Sequence, residues 1–385
     1  MNISSPIEGE RPRNPKDSRT KKYFGGGELF RYSRSTSLRS NPLRVIALLG
    51  PRADEALVKK FDLPGVNIFT GNDMDPTDRP GAAIVLGGDG TLHRHLAPLV
   101  ESRTPFLHVP LGGGNDIARS LGIHSVHDAL NAWKKFVSAG TNVREIDAGT
   151  ITHLKSELPD EPLQSDDAWT RELEASQLDP ANHLAVLGPK IMESQLRHLI
   201  EQRQHLAALP SYFCGVAGVG FDSEANRRAN NMTSWLRRHG GYTLAAARTL
   251  FSYKPARITV SLPAPKWAPT DDGWVAKIDE PALLCAVGNT SSYGGGMRLT
   301  AKAEMDDGEL DVCFVRGVGP LTVLRFFRRV FSGTHLSLKY IEYLQTDRLR
   351  ISTEKPMPIY ADGEYVCETP VELTVVPRAL RAIGP

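Results

Sequence analysis

Residues 82–91 read AAIVLGGDGT. Ala82 to Leu86 is a short apolar run, the pattern of a strand buried on both faces. Gly87, Gly88 and Gly90 let the backbone turn sharply around Asp89 and present its N–H groups. Thr91 opens LHRHLAPLV, whose apolar residues recur at helical spacing. A strand, a glycine turn and a helix start in succession aim amide donors and the positive end of a helix dipole at one place, which suits an anion. A carboxylate at Asp89 repels a bare phosphate, so the turn implies a cation or a hydroxyl between the two.

The design repeats. Pro105 to Pro110 is a second short apolar strand, followed by Leu111, Gly112, Gly113, Gly114, Asn115 and Asp116 and then a helical IARSL. One glycine turn reads most simply as a tight connection. Two in neighbouring units, each with an acid, point to function. Both lie at the carboxyl ends of parallel-type strands and can line one crevice, where open α/β sheets bind ligands.

Upstream, RVIALLG is a strand from Leu43, ADEALVKKF a short helix and VNIFT a second strand ending at Thr70. The polar GNDMDPTDRPG connection carries prolines and is too short for a full crossover helix. Downstream, Ser125 to Val137 reads as a helix and Val143 to Thr150 as a strand. This alternation predicts a parallel sheet covered on both faces over residues 43–150. Residues 1–42 are basic, rich in Pro, Ser and Gly, and without periodicity, so they read as a disordered tail. Such a tail is either solvated or a tether to anionic lipid. Residues 151–209 are an acidic, partly helical insertion that reads as a lid, a partner surface or a passive excursion.

From residue 210 to 374 strands dominate: FCGVAGVGF, PARITVSL, PALLCAVGN, ELDVCFV, DRLRIST, PMPIYADGEYV and PVELTVV. They predict a mostly antiparallel second domain, interrupted by helices at Gly241 to Ser252 and Leu321 to Phe331. The glycines at 215, 218 and 220 lack dinucleotide spacing, and no GxxxxGK[ST] occurs, so neither a Rossmann site nor a P-loop is present. This domain holds two acidic groups, Glu304-Met305-Asp306-Asp307-Gly308-Glu309 and Asp362-Gly363-Glu364. Acid-Gly-acid alone is ordinary turn chemistry, but adjacent carboxylates repel unless a cation offsets them. Hard oxygen ligands suit Mg²⁺ rather than zinc. Phosphoryl transfer needs donors for phosphate, a metal to neutralise charge and a carboxylate to take the proton of an attacking hydroxyl.

The 385 residues suffice for two or three domains, and 41% hydrophobic with 23% charged residues is ordinary for a globular protein. A net charge of +2 argues against a dedicated nucleic-acid binder. The four scattered cysteines argue against a disulfide framework or a zinc site. No apolar run reaches the roughly 18 residues of a membrane span, and the polar start has no signal-peptide core. A cytoplasmic protein is expected, free to meet a membrane surface; a homodimer is neither required nor opposed.

GGDGT (87–91), PLGGGNDIARSLG (110–122), YGGGMRLTAKAEMDDGELDV (293–312) and DGE (362–364) resemble, in order, the motifs of the diacylglycerol kinase catalytic-domain family. That family includes bacterial lipid kinases and sphingosine kinases. The resemblance covers most of the chain from Leu43 onward, the insertion excepted. It implies an α/β nucleotide domain, a β-sandwich-like domain and an active site between them, with residues 375–385 returning to the first domain. It implies ATP held by Gly87 to Thr91, by Gly112 to Asp116 and by Thr70. It further implies Asp89, Asp306 and Asp362 organising Mg²⁺ through water, and a second Mg²⁺ at Asp307 with the carbonyls of Glu304 and Glu309. Glu364 matches the general base, and the acceptor is a lipid at a membrane surface such as diacylglycerol or a sphingoid base.

Three departures stand out. The first strand ends Leu49-Gly50-Pro51-Arg52 where the family has a phosphate-touching Asn-Pro-x-Ser-Gly loop. Gly113 stands where the family has Thr, and the helix before GGDGT is cut to a loop. They keep two other readings open: an NAD-kinase-like enzyme with a soluble acceptor, and a non-catalytic nucleotide- or lipid-binding protein.

Overall fold

The apolar run of Ala82–Gly87 forms strand β3, buried along its whole length. Its alternate residues feed two cores. Ala82, Ile84 and Leu86 join one, and Ala83 and Val85 the other. On either side lie β1 (Leu43–Leu49) and β4 (Phe106–Pro110), both parallel to it, with β2 (Val66–Thr70) outside β1. Helices α1 (Glu55–Lys59) and α5 (Val126–Ala139) cover one face. Ser125 caps α5 by accepting from the Asp128 amide, Gly140 ends it at positive φ, and Ala129, Ala132, Trp133 and Phe136 form its buried stripe. The other face packs on α2 (Asp89–His93), α3 (Leu96–Ser102) and α4 (Asp116–Ser120).

This computed structural model describes residues 42–70, 80–154, 210–230, 249–267 and 270–385 apart from residue 271. The basic tail, the connection after Thr70, nearly all of the 151–209 insertion and most of the helix expected at Gly241 to Ser252 lie outside the described residues.

The second region is a largely antiparallel array. It is built from β7 (Val216–Gly220), β8 (Ala256–Pro263), β9 (Trp274–Gly288), β10 (Leu310–Arg316), β11 (Ile341–Thr346), β12 (Arg348–Thr353) and the hairpin β13 (Pro358–Ala361) and β14 (Glu364–Glu368). Helix α6 (Phe221–Asn230) follows β7, and α7 (Pro320–Ser332) follows β10. The regions share one continuous sheet. Strand β15 (Val371–Ile383) pairs with β12 at Val371 to Thr374 and reaches β4 at Ala382. It also runs antiparallel to β5 (Val143–His153) over nearly its full length.

Two expected elements come out divided. LHRHLAPLV is two helices: α2 starts at Asp89, before Thr91, and breaks at Arg94 and His95. Pro98 is the cause, because it has no N–H to give the Arg94 carbonyl and its ring clashes with that group. FCGVAGVGF is likewise two strands, β6 (Ser211–Phe213) and β7, parted at Cys214 and Gly215. The amides of those two residues turn instead to a carboxylate far along the chain.

Candidate active site

The two glycine turns touch backbone to backbone. A methyl on Gly112 would stand 2.6 Å from the Gly88 Cα, and one on Gly88 2.9 Å from the Gly112 Cα. No other residue permits that approach. Asn115 closes its turn from within, accepting the Gly112 amide on Oδ1 (2.7 Å) and donating from Nδ2 to the Gly112 carbonyl (3.0 Å). Thr91 is buried, its side chain filling the space a Cβ would need at Gly87 and Gly50. Below, the buried His108 ring nitrogen Nε2 lies 3.3 Å from the Gly87 carbonyl, and burial pushes its pKa down to about 4, so the ring is neutral. Gly113 differs: a Cβ there meets nothing within 4 Å, so packing does not demand glycine. Arg52 donates to the Leu111 carbonyl (3.1 Å) and so braces the second turn. Thr70 ends β2 in register with Ala47.

Asp89 lies at the amino end of α4 and accepts the amides of Asp116 (3.0 Å) and Ile117 (3.2 Å). Burial nonetheless lifts its pKa to about 6, outweighing the lowering effect of those amides. In cation-free protein the sign of this is destabilising. The folded chain holds a proton between roughly pH 4 and 6 that the unfolded chain has lost, so stability falls as pH rises through that window. Chelator-treated protein is expected to lose about 1–3 kcal/mol of stability from this group between pH 4 and pH 7, and Asp89→Asn, which offers one acceptor oxygen to the two amides, to flatten that slope. Denaturation midpoints measured across that range check it.

Asp116 lines the cleft, yet its carboxylate faces the second region. Oδ1 accepts from Arg119 (2.7 Å), Ser292 Oγ (2.7 Å) and the Gly296 amide (2.9 Å), and Oδ2 from the Gly295 amide (2.7 Å). Gly294, Gly295 and Gly296 all have positive φ, so this loop needs such an anchor.

On the DGE hairpin, Asp362 and Gly363 turn the chain at φ 53° and 87°. Asp362 Oδ2 accepts the Cys214 amide (3.1 Å) and Oδ1 the Gly215 amide (2.8 Å), which is what parts β6 from β7. Asn289 Nδ2 donates to the Cys214 carbonyl and helps hold the break. The Asp362 carboxylate also pairs with His93 Nδ1 at 3.1 Å. Burial lowers the His93 pKa, but the hydrogen bond and charge of Asp362 reverse this and leave it raised. Glu364 is exposed at the start of β14, and a methyl on Gly90 would overlap its Oε1. The hairpin therefore stands directly against the first glycine turn. Between these walls lies a cleft of about 370 Å³, lined by Asp89, Gly113, Gly114, Tyr293, Gly295 and Asp362 among others.

Asp306 does not join Asp89 and Asp362. Arg144 on β5 holds its carboxylate at 2.9 and 2.6 Å and keeps its pKa below the usual range. Asp307 Oδ1 accepts the Glu309 amide (3.0 Å), and Glu304 and Glu309 are exposed. Beyond them the buried Asp311 accepts from Tyr343 (2.6 Å), and burial raises its pKa. Sequence reasoning missed His93 and Asp222. His93 is one of two histidines in LHRHL, and only the fold brings one of them to Asp362. Asp222 is fully buried beneath Tyr293, with its pKa pushed up by burial to about 6.

Amide-rich turns facing carboxylates across one cleft are the arrangement of a phosphotransferase. Residues 72–151 match the diacylglycerol kinase catalytic domain, and residues 215–384 match the YegS C-terminal NAD kinase beta sandwich-like domain. A diacylglycerol kinase of Mycobacterium tuberculosis is 27% identical over 305 residues, 79% of this chain and 77% of that protein. A sphingoid long-chain bases kinase of Arabidopsis thaliana is 36% identical over 85 residues, 21% of this chain and 11% of that one. A crystal structure of a diacylglycerol kinase from Bacillus anthracis has the same fold, with a TM-score of 0.52 at 15% identity, covering 90% of this chain and 97% of that one. This chain carries a diacylglycerol kinase catalytic domain followed by a YegS C-terminal domain, and it is a phosphotransferase of the lipid-kinase type. Among the described residues, no helix is long and apolar enough to cross a membrane.

Proposed function

We propose that this protein transfers the γ-phosphate of ATP to a hydroxyl of diacylglycerol or a related lipid, such as a sphingoid base, at a membrane surface. The observation that carries this reading is the contact of Glu364 with Gly90. It brings a carboxylate from one region against the phosphate-type turn of the other. Glu364 is the general base: it takes the proton of the acceptor hydroxyl as that oxygen attacks the γ-phosphorus and ADP leaves. The amides of Gly87 to Thr91 and Gly112 to Gly114 receive the phosphates.

The cleft fits Mg²⁺. Among the described residues no three His, Cys, Asp or Glu side chains converge into an all-protein metal cage. Magnesium is characteristically held by one or two carboxylates, waters and substrate phosphates. Asp89 and Asp362 are those carboxylates in our reading: burial raises the Asp89 pKa to about 6, and a cation bound beside it would favour the ionised form. When bound, the ion neutralises charge on the phosphates. In our reading a second ion belongs at Asp307 with the Glu304 and Glu309 carbonyls.

Purified protein with labelled Mg-ATP should phosphorylate diacylglycerol or sphingosine in mixed micelles. Transfer to NAD⁺ but to neither lipid would replace this reading with a soluble-acceptor kinase. Nucleotide binding without any transfer would reject the enzyme reading.

A further inference from the structure

Helix α7 hides one apolar face and shows another. Val323, Phe326 and Val330 are buried. On the far side Leu321, Leu324, Phe327 and Phe331 are 77%, 50%, 44% and 47% exposed. At 3.6 residues per turn these four fall in one stripe about a third of the way round the helix. Arg325 flanks this stripe and Arg328 falls within its margin, between Leu324 and Leu321, both exposed. Neither makes a hydrogen bond or ion pair among the described residues. By contrast, Arg144, Arg227, Arg316 and Arg350 each have a carboxylate partner. The helix, PLTVLRFFRRVFS, contains no acid.

A stripe of large apolar side chains edged by unpaired cations is the surface of a helix that lies in a lipid interface. The arginine stems cover apolar surface while the guanidinium groups reach anionic headgroups. A second copy of this chain fits worse. Packing α7 on its twin across a two-fold axis brings two sets of arginines together with no acid on either helix to offset them. The placement also suits the cleft. The buried face of α7 shares one hydrophobic cluster with Val216 and Tyr293, which line the cleft, and the Arg298 amide, just past the glycine loop, donates to the Val330 carbonyl at 3.0 Å.

We infer that the outer face of α7 docks this protein on anionic bilayers, beside the entrance through which the acceptor reaches the cleft. This rests on the lipid-kinase reading for its purpose, not for its test. Full-length protein is to be sedimented with vesicles of phosphatidylcholine alone or mixed equally with phosphatidylglycerol. Wild type should partition to the mixed vesicles in a salt-sensitive way. Arg325→Gln/Arg328→Gln should weaken this by about tenfold or more, and Phe327→Ser/Phe331→Ser should weaken it on both vesicle types. All four positions are exposed, so melting temperatures should hold, and activity on a monodisperse short-chain acceptor should persist. Vesicle binding by both variants equal to wild type overturns the inference. So does a wild-type dimer that Phe327→Ser/Phe331→Ser splits without loss of vesicle binding. Vesicle binding lost in the variants, from a wild type inactive on every lipid, upholds the docking face and removes the lipid-kinase reading alone.

Discussion

Glu364→Gln is expected to lower turnover by about 10²–10⁴-fold, the usual contribution of a general base, with nucleotide affinity unchanged. Glutamine has the size of glutamate and fills the same space over Gly90, so the turn beneath it should not move. The side chain is exposed and makes no hydrogen bond among the described residues, so little stability is at stake. The loss therefore reports proton removal and not packing. Single-turnover rates beside calorimetric nucleotide binding separate the two quantities. A non-catalytic nucleotide-binding protein would respond in neither, and a substitution that weakened binding and left turnover intact would move Glu364 from base to phosphate neighbour.

Asp116→Ala should be the most destabilising single change at the site, by about 3–5 kcal/mol, as for a buried charge partner removed from its pair. It strips acceptors from Arg119, Ser292 and the amides of Gly295 and Gly296 together. It also unties a loop whose three glycines cannot fix their own conformation. Melting midpoints should fall by about 5 °C. In our reading, with ATP on the two glycine turns, the freed loop serves the acceptor, so the KM for the acceptor should rise more than that for ATP. Asp116→Asn, which keeps one acceptor, should fall between. Were Asp116 a nucleotide ligand instead, both substitutions would raise the KM for ATP with the melting curve unmoved.

The α/β region was legible because its signals are local. Ala82 to Leu86 is apolar at every position, as a strand buried on both faces must be, and glycines mark both turns. What stayed hidden depends on contacts distant in sequence. Nothing around Cys214 announces that Asp362, 148 residues on, will take its amide and split an apparently continuous strand. Asp306 and Asp307 are neighbours in the chain and look alike, but only the fold sets Arg144 beside the first. The side chain of Asp116 reads as part of a phosphate loop until the structure shows it facing the other way. Pro98 was the exception: its effect is local, and the break before it could have been read directly.

Strand β15 constrains how the enzyme can breathe. The ladder that this strand shares with β5 holds on either side of a break between Val376 and Leu380, where Arg378 has φ 53°. Any bending of the regions falls at that break, and the Gly294 to Gly296 loop and the DGE hairpin move against the paired floor. Amide exchange should reveal this as slow protons throughout the floor and fast ones confined to the rim.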